Sequence, residues 1–247
     1  KQSCDIYFYE MARKLGVDKL AVIAKKYGLG SKVLGDVYFD EKKGLVPDTK
    51  WKRRHLGRGW LLGETIINGI GQGYIQTSPL QLCLMTAQLA NGGYKITPHI
   101  INNDDIVFEE VKSKIQKDLI NPNLSSNMRL FQNKKNIEFV LDAMFGSTNE
   151  VGGTSYRSRY DDKKYQFAGK TGTSQVKRIT EAERKLDLKQ SQIEYKNRDH
   201  ALYIAFAPYK EPRYSLSVLI EHGGSGSKAA APIASKLIKK IIDRHEM

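Results

Sequence analysis

Cysteine is scarce. The 247 residues hold two, Cys4 and Cys83, too few for a disulfide framework. They leave the compartment open, since many exported bacterial proteins also lack disulfides. Tryptophan is equally rare, at Trp51 and Trp60. Glycine (21) and proline (7) are not in excess, which excludes collagen-like and low-complexity chains. Long hydrophobic runs are missing. The longest, Leu80 to Ala90, is too short to cross a bilayer and is broken by Gln81, Thr86 and Gln88. No signal peptide is visible, and the first residue is Lys1. The chain reads as an excised piece, so the lack of an export or anchor segment says little about location.

Acidic residues are also in short supply. Twenty-seven Asp and Glu face 40 Lys and Arg, for a net charge of +13. Such a surplus points to a polyanionic partner (nucleic acid, anionic membrane or acidic polymer) or to a lysine-rich solvated surface. The basic residues are scattered, which favours the solvated surface. The densest cluster is Lys50, Lys52, Arg53, Arg54, His55 and Arg58. No RNA-recognition aromatics, zinc-finger spacing or basic zipper accompany it, so a nucleic-acid partner rests on charge alone and is not expected.

What is present is a globular pattern, with 40% hydrophobic residues and enough chain to bury a sizeable core. Apolar spacing predicts helix over 5–27, as one helix or as two broken near Gly16. Residues 31–63 read as loop. Ser78 and Pro79 open a second helix to Asn91, with Gly92 beyond its end. The span 102–136 reads as a charged surface excursion, and 137–145 as a third helix. A strand over 165–169 leads into Lys170. The alternating charges of 178–199 read as solvated helix or loop. Strands over 202–207 and 214–220, a glycine turn at 223–226 and a helix over 229–242 complete a single α+β domain.

The strongest local signal is Phe167-Ala168-Gly169-Lys170-Thr171-Gly172-Thr173-Ser174. A strand that delivers a cation, a hydroxyl and a glycine to a cleft suits acyl transfer. The cation and hydroxyl hold a carboxylate, and a strand N–H serves as an oxyanion donor. Five further blocks flank it. Ser3-Cys4-Asp5 opens the first helix. Gly69-Ile70-Gly71-Gln72-Gly73-Tyr74 precedes Thr77-Ser78-Pro79-Leu80-Gln81. Ala205-Phe206-Ala207-Pro208 and Glu221-His222-Gly223-Gly224 follow. In this order and spacing the blocks resemble the transpeptidase domain of class B penicillin-binding proteins, in the elongation-specific branch.

The resemblance implies the penicillin-recognising, β-lactamase-like fold: an antiparallel sheet packed with helices. It also implies a serine D,D-transpeptidase that cross-links peptidoglycan stem peptides ending in D-Ala-D-Ala and is acylated by β-lactams. The family site has three motifs, S-x-x-K, S-x-N and K-[TS]-G. Ser3 and Asp5 match the ends of the second, with Asp where Asn is usual elsewhere. Lys170, Thr171 and Gly172 match the third. Thr173 would supply the oxyanion N–H and contact the substrate carboxylate. The parent would sit in the bacterial inner membrane with this domain in the periplasm, beside a membrane glycosyltransferase of the elongation machinery. A D,D-carboxypeptidase, a β-lactamase-like relative and a non-catalytic stem-peptide or β-lactam binder are the alternatives. No cofactor or metal is implied.

The nucleophile motif departs from the family pattern, because it is expected upstream of Ser3. Two S-x-x-K strings occur, Ser174 to Lys177 and Ser225 to Lys228. Both follow Lys-Thr-Gly, the wrong order, and are read as chance matches. The domain is therefore expected to be incomplete at its N-terminus, lacking the nucleophile and the first strands of the sheet, and inactive alone. Cys4 reads as a buried structural thiol. Tyr74 and Gln72 read as parts of a packing turn. Trp51 and Trp60 form either a local aromatic cluster or a binding surface. The five histidines show no ligand-like spacing.

Overall fold

The computed structural model describes residues 1–35, 40–100, 128–131, 133–177 and 192–245. Its centre is an antiparallel sheet of β1 (Ala168–Ser174), β2 (His200–Ala207) and β3 (Tyr214–Ile220), in the order β1-β2-β3. Thr171 pairs with Tyr203, and Tyr203 with Val218. Among the described residues β1 and β3 each have one neighbour, so every second backbone group of each faces away from the sheet.

The pleat sorts β2 by face. Ala201, Tyr203, Ala205 and Ala207 join Val218 in one core, with Ala231, Ala234, Ile238 and Ile242 of the last helix, α7 (Ala231–His245). These four helix residues recur at spacings of three and four, the stripe that a core-facing helix presents. Phe206 and Ala168 point the other way, against Met144, Leu141 and Phe145 of α6 (Lys134–Asn149) and Ala90 of α5 (Pro79–Ala90). Helices thus cover both faces, giving the expected α+β architecture.

The expectation of helix over 5–27 resolves into two, α1 (Asp5–Leu15) and α2 (Val17–Lys26). Gly16 divides them at φ +79, a conformation that glycine adopts without strain. α5 starts as the sequence suggests. Ser78 Oγ accepts from the Gln81 N–H at 3.2 Å, and Gln81 Oε1 accepts from the Ser78 N–H at 3.1 Å, a reciprocal capping box.

Other boundaries differ. α6 begins at Lys134 and ends at Asn149, wider than 137–145. The 165–169 strand is displaced: Lys163–Tyr165 is a 3-10 turn, and the strand proper contains the whole Lys-Thr-Gly-Thr block. The 31–63 loop holds helix α3 (Thr49–Leu56) and the start of α4 (Leu62–Asn68). α3 carries no apolar stripe to announce it. It forms because Asp48 Oδ1 caps the Trp51 N–H at 2.7 Å and Gly57 closes the end in the left-handed region. Within it, Lys52 is buried and pairs with Glu64 of α4 at 2.5 Å, so the basic cluster is not wholly solvated. Of the predicted 102–136 excursion, 102–127 and 132 lie outside the described residues. So do 178–191 of the charged 178–199 stretch. Tyr195–Asn197 is one 3-10 turn.

Candidate active site

The site is assembled where β1 meets the residues that lead into α1. Lys170 Nζ donates to Ser3 Oγ at 2.5 Å, across 167 positions of sequence. It also donates to the Thr171 carbonyl at 2.7 Å and to Thr171 Oγ1 at 3.3 Å. Burial lowers the Lys170 ammonium below its ordinary 10.5, and the charge of Asp5 pulls in the opposite direction. Ser3 sits at φ +51, a left-handed conformation costly for a residue with a Cβ.

Neighbouring contacts hold it there. Lys1 Nζ pairs with Glu150 at 2.5 Å, and the Gln2 side-chain amide lies over Gly152. Asp5 starts α1, which rests on α4. Gly69, first residue of the glycine-rich block, is pressed so close to Ala12 and the Phe8 carbonyl that a Cβ would collide.

Of the residues chosen from sequence, Ser3, Lys170 and Thr171 are in hydrogen-bond contact, and Asp5 acts on Lys170 through its charge. Gly172 lies under the turn that opens the last helix. A Cβ at Gly226 would stand 2.5 Å from the Gly172 carbonyl oxygen. Thr173 follows on β1, exposed and opposite Ala201. Both S-x-x-K strings adjoin β1, but Lys170 makes no hydrogen bond to either among the described residues. Ser174 is exposed at the end of β1. Ser225 Oγ pairs with Ser227 Oγ at 3.0 Å, and the Lys228 side chain is exposed.

Several supporting residues escaped the sequence reading. Thr171 Oγ1 donates to Thr154 Oγ1 at 3.0 Å, and Thr154 is 3.0 Å from Ser147 Oγ. Tyr203 Oη, fully buried, lies 2.9 Å from Ser155 Oγ and 3.0 Å from Thr148 Oγ1. Asn149 Nδ2 donates to the Phe167 carbonyl at 2.8 Å, just before the motif strand. The Gly-Gly-Thr-Ser run at 152–155 was the only local signal, because the partners are far away in sequence.

The remaining expectations are sorted by burial. Cys4 is exposed, not buried: it is the residue immediately before α1. Tyr74 lies near Trp51 and Trp60, ring centroids 5.3 and 6.2 Å apart, and donates to Glu64. The local aromatic cluster is therefore present. Gln81, fully buried, donates to the Ser31 and Lys43 carbonyls, so the Thr-Ser-Pro-Leu-Gln block holds those two backbone points. Among the described residues no group of three potential metal ligands converges.

The penicillin-binding protein transpeptidase domain model matches residues 1–239. The chain belongs to the penicillin-binding protein transpeptidase family. Its α+β architecture is accordingly the penicillin-recognising fold. The chain is 33% identical over 246 residues to peptidoglycan D,D-transpeptidase MrdA of Salmonella typhimurium, covering 98% of this chain and 37% of that protein. It thus spans little more than a third of the length of this curated relative. Among solved structures, penicillin-binding protein 2 of Helicobacter pylori in complex with MreC superposes with a TM-score of 0.78 at 28% identity. That match covers 100% of this chain and 39% of the other. Pseudomonas aeruginosa PBP2 in complex with WCK 5153 gives 0.73 at 33% identity, over 98% and 48%. The Ser3–Lys170 contact brings the Ser-Cys-Asp and Lys-Thr-Gly strings together.

Proposed function

We propose that this chain is the C-terminal portion of a peptidoglycan D,D-transpeptidase domain of the elongation-specific kind. The observation that carries the reading is the 2.5 Å contact between Lys170 and Ser3, with Thr171 on the same cation. In this reading the nucleophilic serine belongs to an S-x-x-K motif that precedes Lys1. Supporting this, Lys170 makes no hydrogen bond to either S-x-x-K string among the described residues, and Ile6, Tyr7 and Phe8 of α1 expose 74, 56 and 45% of their surface.

Lys170, Thr171 and Thr173 bind the terminal carboxylate of a D-Ala-D-Ala stem peptide or of a β-lactam. The serine attacks the penultimate carbonyl, whose oxyanion takes the Thr173 N–H. The C–N bond breaks, and Ser3 passes the serine proton to the departing D-alanine amine. An amine of a neighbouring strand then takes the acyl group. The identity to MrdA favours the transpeptidase over the carboxypeptidase and β-lactamase alternatives. In this reading the parent sits in the inner membrane, faces the periplasm and works beside a membrane glycosyltransferase. None of the described helices is long and apolar enough to cross a membrane.

Fluorescent penicillin tests the reading. Full-length protein is expected to label covalently, and Ser3→Ala or Lys170→Ala to slow labelling about 100-fold, the lower range for lost proton-transfer groups. The 247 residues alone should not label. Labelling of the isolated chain would overturn the upstream nucleophile, and wild-type rates in both variants would overturn the site.

A further inference from the structure

The motif hydroxyl Thr171 has a partner that no motif contains. We propose that Thr154 is a positioning residue for carboxylate recognition, setting the direction of the Thr171 hydroxyl proton. The inference rests on the acyl-transfer reading above.

An ammonium has donors and no acceptor. Thr171 Oγ1 must therefore meet Lys170 with a lone pair, and its own proton goes elsewhere. The geometry sends that proton to Thr154 Oγ1, 3.0 Å away. A carboxylate reverses the demand, because it only accepts. To hold the terminal carboxylate of a stem peptide, Thr171 has to turn its proton toward the ligand. Thr154 then rotates its own hydroxyl to donate back to Thr171. Only a residue able both to accept and to donate keeps Thr171 satisfied in both states. Ser147 Oγ, 3.0 Å from Thr154 and fully buried, takes or returns the hydrogen bond behind it.

Position is as well fixed as chemistry. Thr154 stands between two immobilised neighbours. On one side, Gly153 is packed against the Gly146 and Ser147 carbonyls so tightly that a Cβ would collide. On the other, Ser155 is buried. Its N–H and Oγ both donate to the Ser147 carbonyl, at 3.0 and 3.1 Å, and its Oγ meets Tyr203 Oη. Tyr203 is in turn the β2 partner of Thr171. The turn after α6 and the motif strand are thus built on one another. The structural task falls to Ser155, Thr148 and Tyr203, which leaves the Thr154 hydroxyl facing the motif. The same turn also touches the residues flanking Ser3, through Glu150 with Lys1 and Gly152 with Gln2.

The test uses full-length protein and two probes, benzylpenicillin and its methyl ester, which lacks the anionic carboxylate. The readout is the ratio of their second-order acylation rates. Thr154→Val keeps the side-chain volume and deletes the hydroxyl. It is expected to reduce the acid-to-ester ratio about five-fold, the worth of one hydrogen bond. Thr154→Ser keeps the hydroxyl and is expected to hold the ratio within two-fold of the parent. Thermal unfolding of both variants reports any loss of fold. An unchanged ratio in the valine variant overturns the inference. So does an equal loss for acid and ester, or a serine variant as impaired as valine. Failure of the parent protein to acylate with either probe instead overturns the acyl-transfer reading on which the inference stands.

Discussion

In the proposed reading Lys170 has to be charged to hold a carboxylate, yet burial lowers its pKa below 10.5 against the charge of Asp5. The sign of a prediction follows. Acylation by benzylpenicillin should fall on the alkaline side before an unperturbed lysine would titrate. Asp5→Asn removes the charge that raises the pKa, so this limb should move to lower pH in a pH–rate profile. An unmoved limb, or one displaced upward, counts against the assignment. Gly169 offers a second residue-scale test. A Cβ there collides with Tyr203 Oη and the Ile204 carbonyl. Gly169→Ala should destabilise by about 1–3 kcal/mol, the typical cost of overpacking, measured by denaturant unfolding. At this scale the sequence marked Ser3, Asp5 and Lys170 to Thr173 as candidates, because they fall in short contiguous motifs. It did not reveal Thr154, Tyr203 or Gly226. Their roles arise from contacts 17 to 55 positions away, which no local pattern encodes.

Elements tell a different story. α5 and α7 were legible because their caps and apolar stripes are local. α3 was hidden, since TKWKRRHL carries its stabilising contacts in a cap and an ion pair. The Lys52 side chain is 4% exposed and that of its partner Glu64 19%. Burial pushes the Glu64 carboxyl up, but Lys52, the Leu61 N–H and Tyr74 together outweigh it and hold the pKa below the usual value. Glu64→Gln should therefore cost about 3 kcal/mol by leaving Lys52 buried and unpaired. Charge reversal at Arg53 and Arg54, both exposed, should leave the melting temperature nearly unchanged. Equal losses at all three positions would refute the distinction. The α3 cap gives a pH test. A hydrogen bond from Lys25 lowers the Asp48 pKa below 3.8. A depressed carboxylate contributes stability above its unfolded pKa and loses it as pH falls through the folded one. Asp48→Ala should cost about 1 kcal/mol at pH 7, and less as the pH drops through that window.

For the whole molecule, the α+β class was readable from the order of periodic segments. The assignment of helices to the two faces of the sheet was not, since it depends on which alternate residues of β2 face α7. The edge of β3 that has no partner strand among the described residues, and the exposed Ile6, Tyr7 and Phe8, are surfaces suited to further packing. The 247 residues alone are expected to self-associate, and light scattering that finds a monodisperse monomer at high concentration would oppose this. The contact between Gly226 and Gly172 has a genetic consequence. The residues that open the last helix lie directly on the motif strand, and Ile238 and Ile242 complete the core behind it. A premature stop anywhere between codons 226 and 242 should therefore be as damaging as loss of Lys170 itself, although it leaves every motif residue in place.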